Sequence, residues 1–163
     1  MGGVPQEAID RLLKAWRGEV EAGAVYELIA ERERDERRAE ILRRMAAAEA
    51  GHRARIERRL TELGVPIPAT VRLPLWTRLQ AKLASIDRLL AAREAAEDDE
   101  VGDLYKRPTG DDETDALLRG IRKDERSHAL VVQEMRSPAP EPSPVAVPGA
   151  QAITVPQMSG QLV

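Results

Sequence analysis

The sequence has no cysteine and no phenylalanine, and aromatic residues make up only 2% of its 163 positions. Without Cys there are no disulfides, thiolate nucleophiles, zinc ribbons or Cys-ligated iron–sulfur centres. Without Phe the core must be built from Leu, Ile, Val, Ala and Met. A basic excess is also missing: the net charge is −3, so nothing calls for a nucleic-acid partner. No uncharged apolar run is long enough to span a bilayer. The start of the chain shows no basic-then-apolar leader. Gln6 stands where a myristoylation signal has Ser or Thr. Together these absences set the expectation of a cytoplasmic protein with no membrane span.

What is present is charge and helix-forming residues. Asp, Glu, Lys and Arg are 33% of the chain, and with abundant Ala and Leu they suit long amphipathic helices. The length suits one domain with a modest core. Four stripes with spacing of three and four follow. The first begins after Pro5 and contains Ile9, Leu12, Trp16, Val20, Tyr26 and Ala30. The charged run Glu31 to Arg38 follows; it holds no Gly or Pro, so a turn there is inferred only from the change of pattern. The second stripe runs through Leu42, Met45, Glu49, His52, Ile56 and Leu60. Gly64, Pro66 and Pro68 stop it. The third starts near Pro74 and contains Leu79, Leu83, Ile86, Leu90, Glu94, Glu97 and Leu104, before Pro108 and Gly110. The fourth contains Leu118, Ile121, Glu125, His128, Val132 and Met135, with Asp111 or Asp112 as its N-cap. The expected fold is all-α, a four-helix bundle over residues 5–136. From Ser137 the composition turns Pro-rich with no Lys or Arg, which predicts a disordered tail over residues 137–163.

The chain's chemistry is concentrated in Glu49-Ala50-Gly51-His52 and Glu125-Arg126-Ser127-His128. Each is Glu-x-x-His on an apolar stripe. Three residues along a helix bring both side chains to nearly one side, so carboxylate and imidazole converge. In a Glu-rich chain a single copy is more often a surface coincidence. Here the only two His of the sequence both fall in the motif, and both face inward. Two such helices, with a Glu from each of the other two, form a dinuclear carboxylate site. Glu19 on the first stripe and Glu97 on the third supply those acids, with Glu94 one turn before Glu97 and Glu100 nearly one turn after. Burying these acids unpaired is costly, and two divalent cations remove that cost. Carboxylates with imidazole suit iron or manganese. Trp16 and Met45 read as core. Tyr26 reads as core too, but its place two turns from Glu19 makes it a candidate for the chemistry.

Trp16-x-x-Glu19 followed by Tyr26, then Met45-Ala46-x-x-Glu49-x-x-His52, resembles the ferritin-like domain of rubrerythrins. It is most similar to the version found in membrane-bound ferritins and vacuolar-iron-transporter proteins. The resemblance covers about residues 8 to 136. It implies a ferritin-like bundle with two iron ions held by Glu19, Glu49, His52, Glu97, Glu125 and His128. In the third helix, Glu97-Asp98-Asp99-Glu100 with Tyr105 fits the family's tyrosine spacing, while Glu94-Ala95-Ala96-Glu97 fits the distance to the last motif. The implied activity is oxidation of ferrous iron by oxygen, with peroxide scavenging or an iron-binding adaptor as alternatives. The absence of Cys removes the rubredoxin module of peroxide-reducing relatives. The tail also resembles that of encapsulated ferritin-type cargo, with Ile153-Thr154-Val155 and Gly160-Gln161-Leu162 similar to shell-docking peptides. This implies an encapsulin shell as partner.

One expectation rests on reach. If the third helix is continuous from Pro74, ten linking residues span at most about 36 Å, too little to return along the bundle. Either the third helix starts near Leu79 and the link is longer, or helices three and four complete a partner's site; the helical spacing of Leu75, Leu79, Leu83 and Ile86 favours the second, a helix-swapped homodimer or higher homo-oligomer with each site shared between chains.

Overall fold

The computed structural model describes residues 4–69, 72–92, 95 and 107–136. Among them there are helices and no strand. The first helix, α1, spans Gln6–Arg32, and α2 spans Glu36–Glu62. They form an antiparallel hairpin through a turn of charged residues. Glu33 closes α1 in an extended conformation. Its carboxylate accepts from the backbone N–H groups of Arg34 and Asp35 at 2.8 and 3.1 Å. Asp35 then caps α2 by accepting from the Arg38 N–H at 2.9 Å. The run Glu31 to Arg38 therefore makes a tight turn with side-chain carboxylates in place of Gly or Pro.

At its other end α2 stops at Gly64, whose φ of 70° suits a residue without Cβ. The Val65 N–H reaches back to the Leu60 carbonyl at 2.9 Å. From there the chain climbs the bundle. Leu63 and Val65 pack on a lower apolar cluster with Leu12, Trp16, Ile56 and Leu60, whereas Leu73 packs on an upper one with Tyr26, Ile29, Leu42 and Met45. The short helix α3, Leu75–Leu83, lies against the end of α1, where the Arg32 guanidinium donates to the Ala81 and Ala84 carbonyls. Ala84 is extended. Ser85 opens α4, residues 86–92, by accepting from the Arg88 N–H at 3.3 Å. Leu90 of α4 is fully buried in the upper cluster.

The last helix, α5, spans Asp112–Arg136. Asp111 is its cap, accepting from the Thr114 N–H at 2.9 Å. The Arg59 guanidinium ties this cap to the end of α2, reaching Asp111 at 2.8 Å and also pairing with Glu113. Leu118 and Ile121 enter the lower cluster and Val132 the upper. Thus α5 runs alongside α1 and opposite to α2, as a ferritin-like bundle requires.

One expectation is corrected. The third stripe is not one helix from Pro74: it breaks at Ala84 and Ser85, and Leu79 and Leu83 face outward rather than into the core. The bundle's third helix therefore starts after Ser85, and the return link lengthens to residues 63–85. With that longer link the reach argument for exchanged helices loses its premise. The tail, Ser137 to Val163, lies outside the described residues.

Candidate metal centre

Between the two apolar clusters lies a belt of buried charge. Glu19 of α1, Glu49 and His52 of α2, and Glu125 of α5 are all buried, with Glu49 only 1% exposed. One ligand atom from each of the four lies within 4.8 Å of the others. His52 is the hub. Its Nδ1 stands 2.9 Å from Glu125 Oε1, 3.3 Å from Glu19 Oε2 and 3.4 Å from Glu49 Oε2. The His128 ring stacks on the His52 ring, with centroids 5.5 Å apart and planes inclined by 17°. His128 Nδ1 lies 3.9 Å from Glu125 Oε2.

The local sequence explains the placement. On α2 the stripe reads Met45, Glu49, His52, Ile56, so one helix face passes from apolar to charged and back. On α1 the same face carries Glu19 between Trp16 and Tyr26. Gly23 lies against α2, and a Cβ there would meet the Glu49 Cβ at 3.5 Å.

Burial pushes the Glu49 carboxyl up, against a smaller opposing pull from His52. For His52, burial works against the charged form, but hydrogen bonds to Glu125, Glu19 and Glu49 outweigh it and raise the imidazolium pKa to about 11. The metal-free cluster thus holds a proton on His52 where a cation would stand among three carboxylates. Among the described residues seven buried side-chain polar atoms have no hydrogen-bond partner, and three of them lie at this centre: Glu49 Oε1, Glu125 Oε2 and His128 Nδ1. Leaving such atoms unpaired is costly in a folded protein. All three belong to the two Glu-x-x-His motifs, and all are lone-pair donors suited to a hard or borderline divalent cation. The donor set fits the dinuclear site expected from the motifs.

The structure brings together Glu19, Glu49, His52 and Glu125, with His128 alongside. Glu94 and Glu97, and with them Glu100 and Tyr105, lie outside the described residues. Tyr26 is buried in the upper apolar cluster. Trp16 is confirmed as core, its indole N–H donating to Glu57 Oε1 at 2.9 Å.

Sequence reasoning missed Asp124. Its Oδ2 accepts from the Arg55 guanidinium at 2.8 Å and faces His52 Nε2 at 3.5 Å. Arg55 holds its carboxyl below the usual range. An imidazole whose outer nitrogen faces a carboxylate is held with its inner nitrogen toward the ligand position. The only signal was an acid directly before the second motif, one among 28 acids in the chain.

A bundle whose helices converge buried carboxylates and histidines on one point defines the class of ferritin-like carboxylate metal proteins. The rubrerythrin family model matches residues 10–135, and the chain belongs to that family. Neither the curated proteins nor the solved structures compared with the chain gave a match. Among the described residues no helix is long and apolar enough to cross a membrane.

Proposed function

We propose that this chain is a ferroxidase: it takes ferrous iron as substrate at the buried centre and oxidises it with dioxygen. The observation that supports this most directly is the convergence of Glu19, Glu49, His52 and Glu125 within 4.8 Å in the bundle interior. On this reading Glu97, joined by Glu94 or Glu100, completes the shell from the third stripe. Two ferrous ions each give up one electron to one dioxygen, which takes up two protons and leaves as hydrogen peroxide, while the ferric ions leave for storage. Glu49 and Glu125 are central enough to be shared between two cations. His52 releases its Nδ1 proton when a cation takes that place, and Asp124 keeps the ring oriented throughout. The apolar clusters above and below limit the centre's contact with water.

Oxygen uptake by metal-free protein supplied with excess ferrous iron tests the reading. Sustained oxidation of many irons per chain is expected. Oxidation that stops after two per chain would point instead to an iron-binding adaptor. Peroxide consumed much faster than oxygen by ferrous-loaded protein would make the centre a peroxide reductase.

The same reading gives the tail after Arg136 the role of docking into an encapsulin shell. Deleting residues 137–163 is then expected to leave oxidation unchanged and to abolish co-purification with the shell. A truncated chain that still enters the shell would remove that role.

A further inference from the structure

The short helix α3 is built inside out. Ala81 is its only buried residue, pressed against the end of α1 near Arg32. The opposite face carries Leu75, Trp76, Leu79 and Leu83, which are 80, 66, 43 and 74% exposed. At 100° per residue these four side chains fall within one arc of about 100°. That arc is centred opposite Ala81. A helix that merely braces the bundle has its large apolar residues inward. Here they form a contiguous outward patch, of the kind that marks an interaction surface.

The charge around this patch is a second, independent observation. Between Glu62 and Asp87 the sequence holds no acid, in a chain with more acids than bases, and the nearest carboxylates on α1, Glu27 and Glu31, line a hollow with Arg72 and Arg78 on the bundle side and leave Lys82 outside it. The stretch carries Arg72, Arg78 and Lys82, and all three are exposed. Arg78 and Lys82 lie together on one flank of the apolar arc, and Gln80 on the other. Leu and Trp on one face with Lys and Arg beside them is the pattern of helices that lie in the surface of an anionic membrane. In that setting the apolar arc enters the acyl boundary, the indole sits at headgroup level, and the cations meet lipid phosphates.

A second copy fits this charge pattern less well. Two α3 helices packed antiparallel about a two-fold axis would bring the Arg78 and Lys82 flank of each beside its counterpart, like charge against like. The helix is already folded on the scaffold, so no ordering cost opposes surface binding.

We propose that the outward face of α3 docks this protein onto anionic lipid bilayers. The contact is peripheral, made by Leu75, Trp76, Leu79 and Leu83 with Arg72, Arg78 and Lys82. It is separate from the buried cluster, whose described members lie on α1, α2 and α5.

Co-sedimentation of the full chain with vesicles tests this, comparing pure phosphatidylcholine with phosphatidylcholine containing phosphatidylglycerol. The chain is expected to pellet with the anionic vesicles only, with a blue-shifted Trp76 emission, and to be released by added salt. W76S with L83S is expected to reduce the bound fraction ~tenfold or more, and R78E with K82E to do the same. Helical content and iron binding of both variants serve as the folding control. Failure of the full chain to bind anionic vesicles, or equal binding by the well-folded variants, would overturn the proposal. So would a dimer in sedimentation velocity that W76S with L83S converts to monomer, since the face would then belong to a second copy.

Discussion

Helices α2 and α3 depart from the amphipathic rule in opposite directions. The middle of α2 turns Glu49 and His52 inward, where apolar residues belong. In α3, Leu75, Trp76, Leu79 and Leu83 turn outward, where polar residues belong. Both departures cost free energy in the isolated chain. A buried carboxylate loses its hydration, and an exposed apolar side chain forfeits its burial. The difference lies in what offsets the cost. In α2 the partners are within the fold: Glu19 and Glu125 converge on the same point, and on the proposed function a cation completes the set. In α3 nothing within the described residues covers the face.

That contrast is sharpest in activity. Replacing His52 and His128 together with Ala is expected to lower the ferrous oxidation rate on the order of 100-fold or more, because both motifs lose their imidazole. Trp76→Ser with Leu83→Ser is expected to leave the rate unchanged. Oxygen uptake with excess ferrous iron measures both, and equal loss in the two variants would erase the distinction.

In stability the comparison is with the core proper. Leu42 is fully buried in the upper cluster. Leu42→Ala is expected to cost ~2–5 kcal/mol through lost transfer energy and a cavity. Leu83→Ser, on the open face of α3, is expected to change stability by less than ~0.5 kcal/mol. Urea titration of the metal-free proteins distinguishes them. A large loss for Leu83→Ser would mean the face is covered after all.

A smaller effect concerns how α5 supports α2. Asp124→Ala removes the carboxylate facing His52 Nε2 and is expected to weaken ferrous binding ~10–100-fold, with Asp124→Asn restoring part of it. Anaerobic titration of the two variants provides the check, and unchanged affinity in the Ala variant would exclude the positioning role.

The pH dependence follows from the held proton. His52 keeps its proton in the metal-free fold to about pH 11, well above its ordinary 6.5. Its stabilisation is therefore complete below pH 6.5 and is lost as the pH rises toward 11. Glu49, raised by burial, acts in the same direction. Metal-free protein is expected to melt at a lower temperature as pH increases from about 6.5 to about 9.5, and His52→Ala to flatten that slope. Ferrous binding runs the other way, gaining as the proton leaves. A melting temperature that climbs over this range would contradict the protonated cluster.

Much of this arrangement is legible in the sequence. The inward stripes of α1, α2 and α5, the stop at Gly64 and the cap at Asp111 follow from spacing and capping chemistry. The buried Glu and His cluster is legible because the chain has only two His, each three residues after a Glu on an apolar stripe. Two features are not. Leu79, Leu83, Ile86 and Leu90 keep helical spacing across the break at Ala84 and Ser85, and spacing alone cannot say whether a stripe faces in or out. Only the packing of Ala81 against α1 decides that, and it is a tertiary fact. Asp124 is illegible for a related reason. Its role depends on α5 lying beside α2 at the height of His52, which no local pattern encodes.

The central claim is that the buried cluster is a two-cation site built from both motifs. Anaerobic titration of the metal-free full chain with ferrous iron, with proton release followed in a weakly buffered solution, tests it most directly. The account predicts saturation at about two ferrous ions per chain with release of protons. It also predicts loss of tight binding in both Glu49→Ala and Glu125→Ala. Saturation at one ion or none, or tight binding undiminished in those two variants, would contradict it.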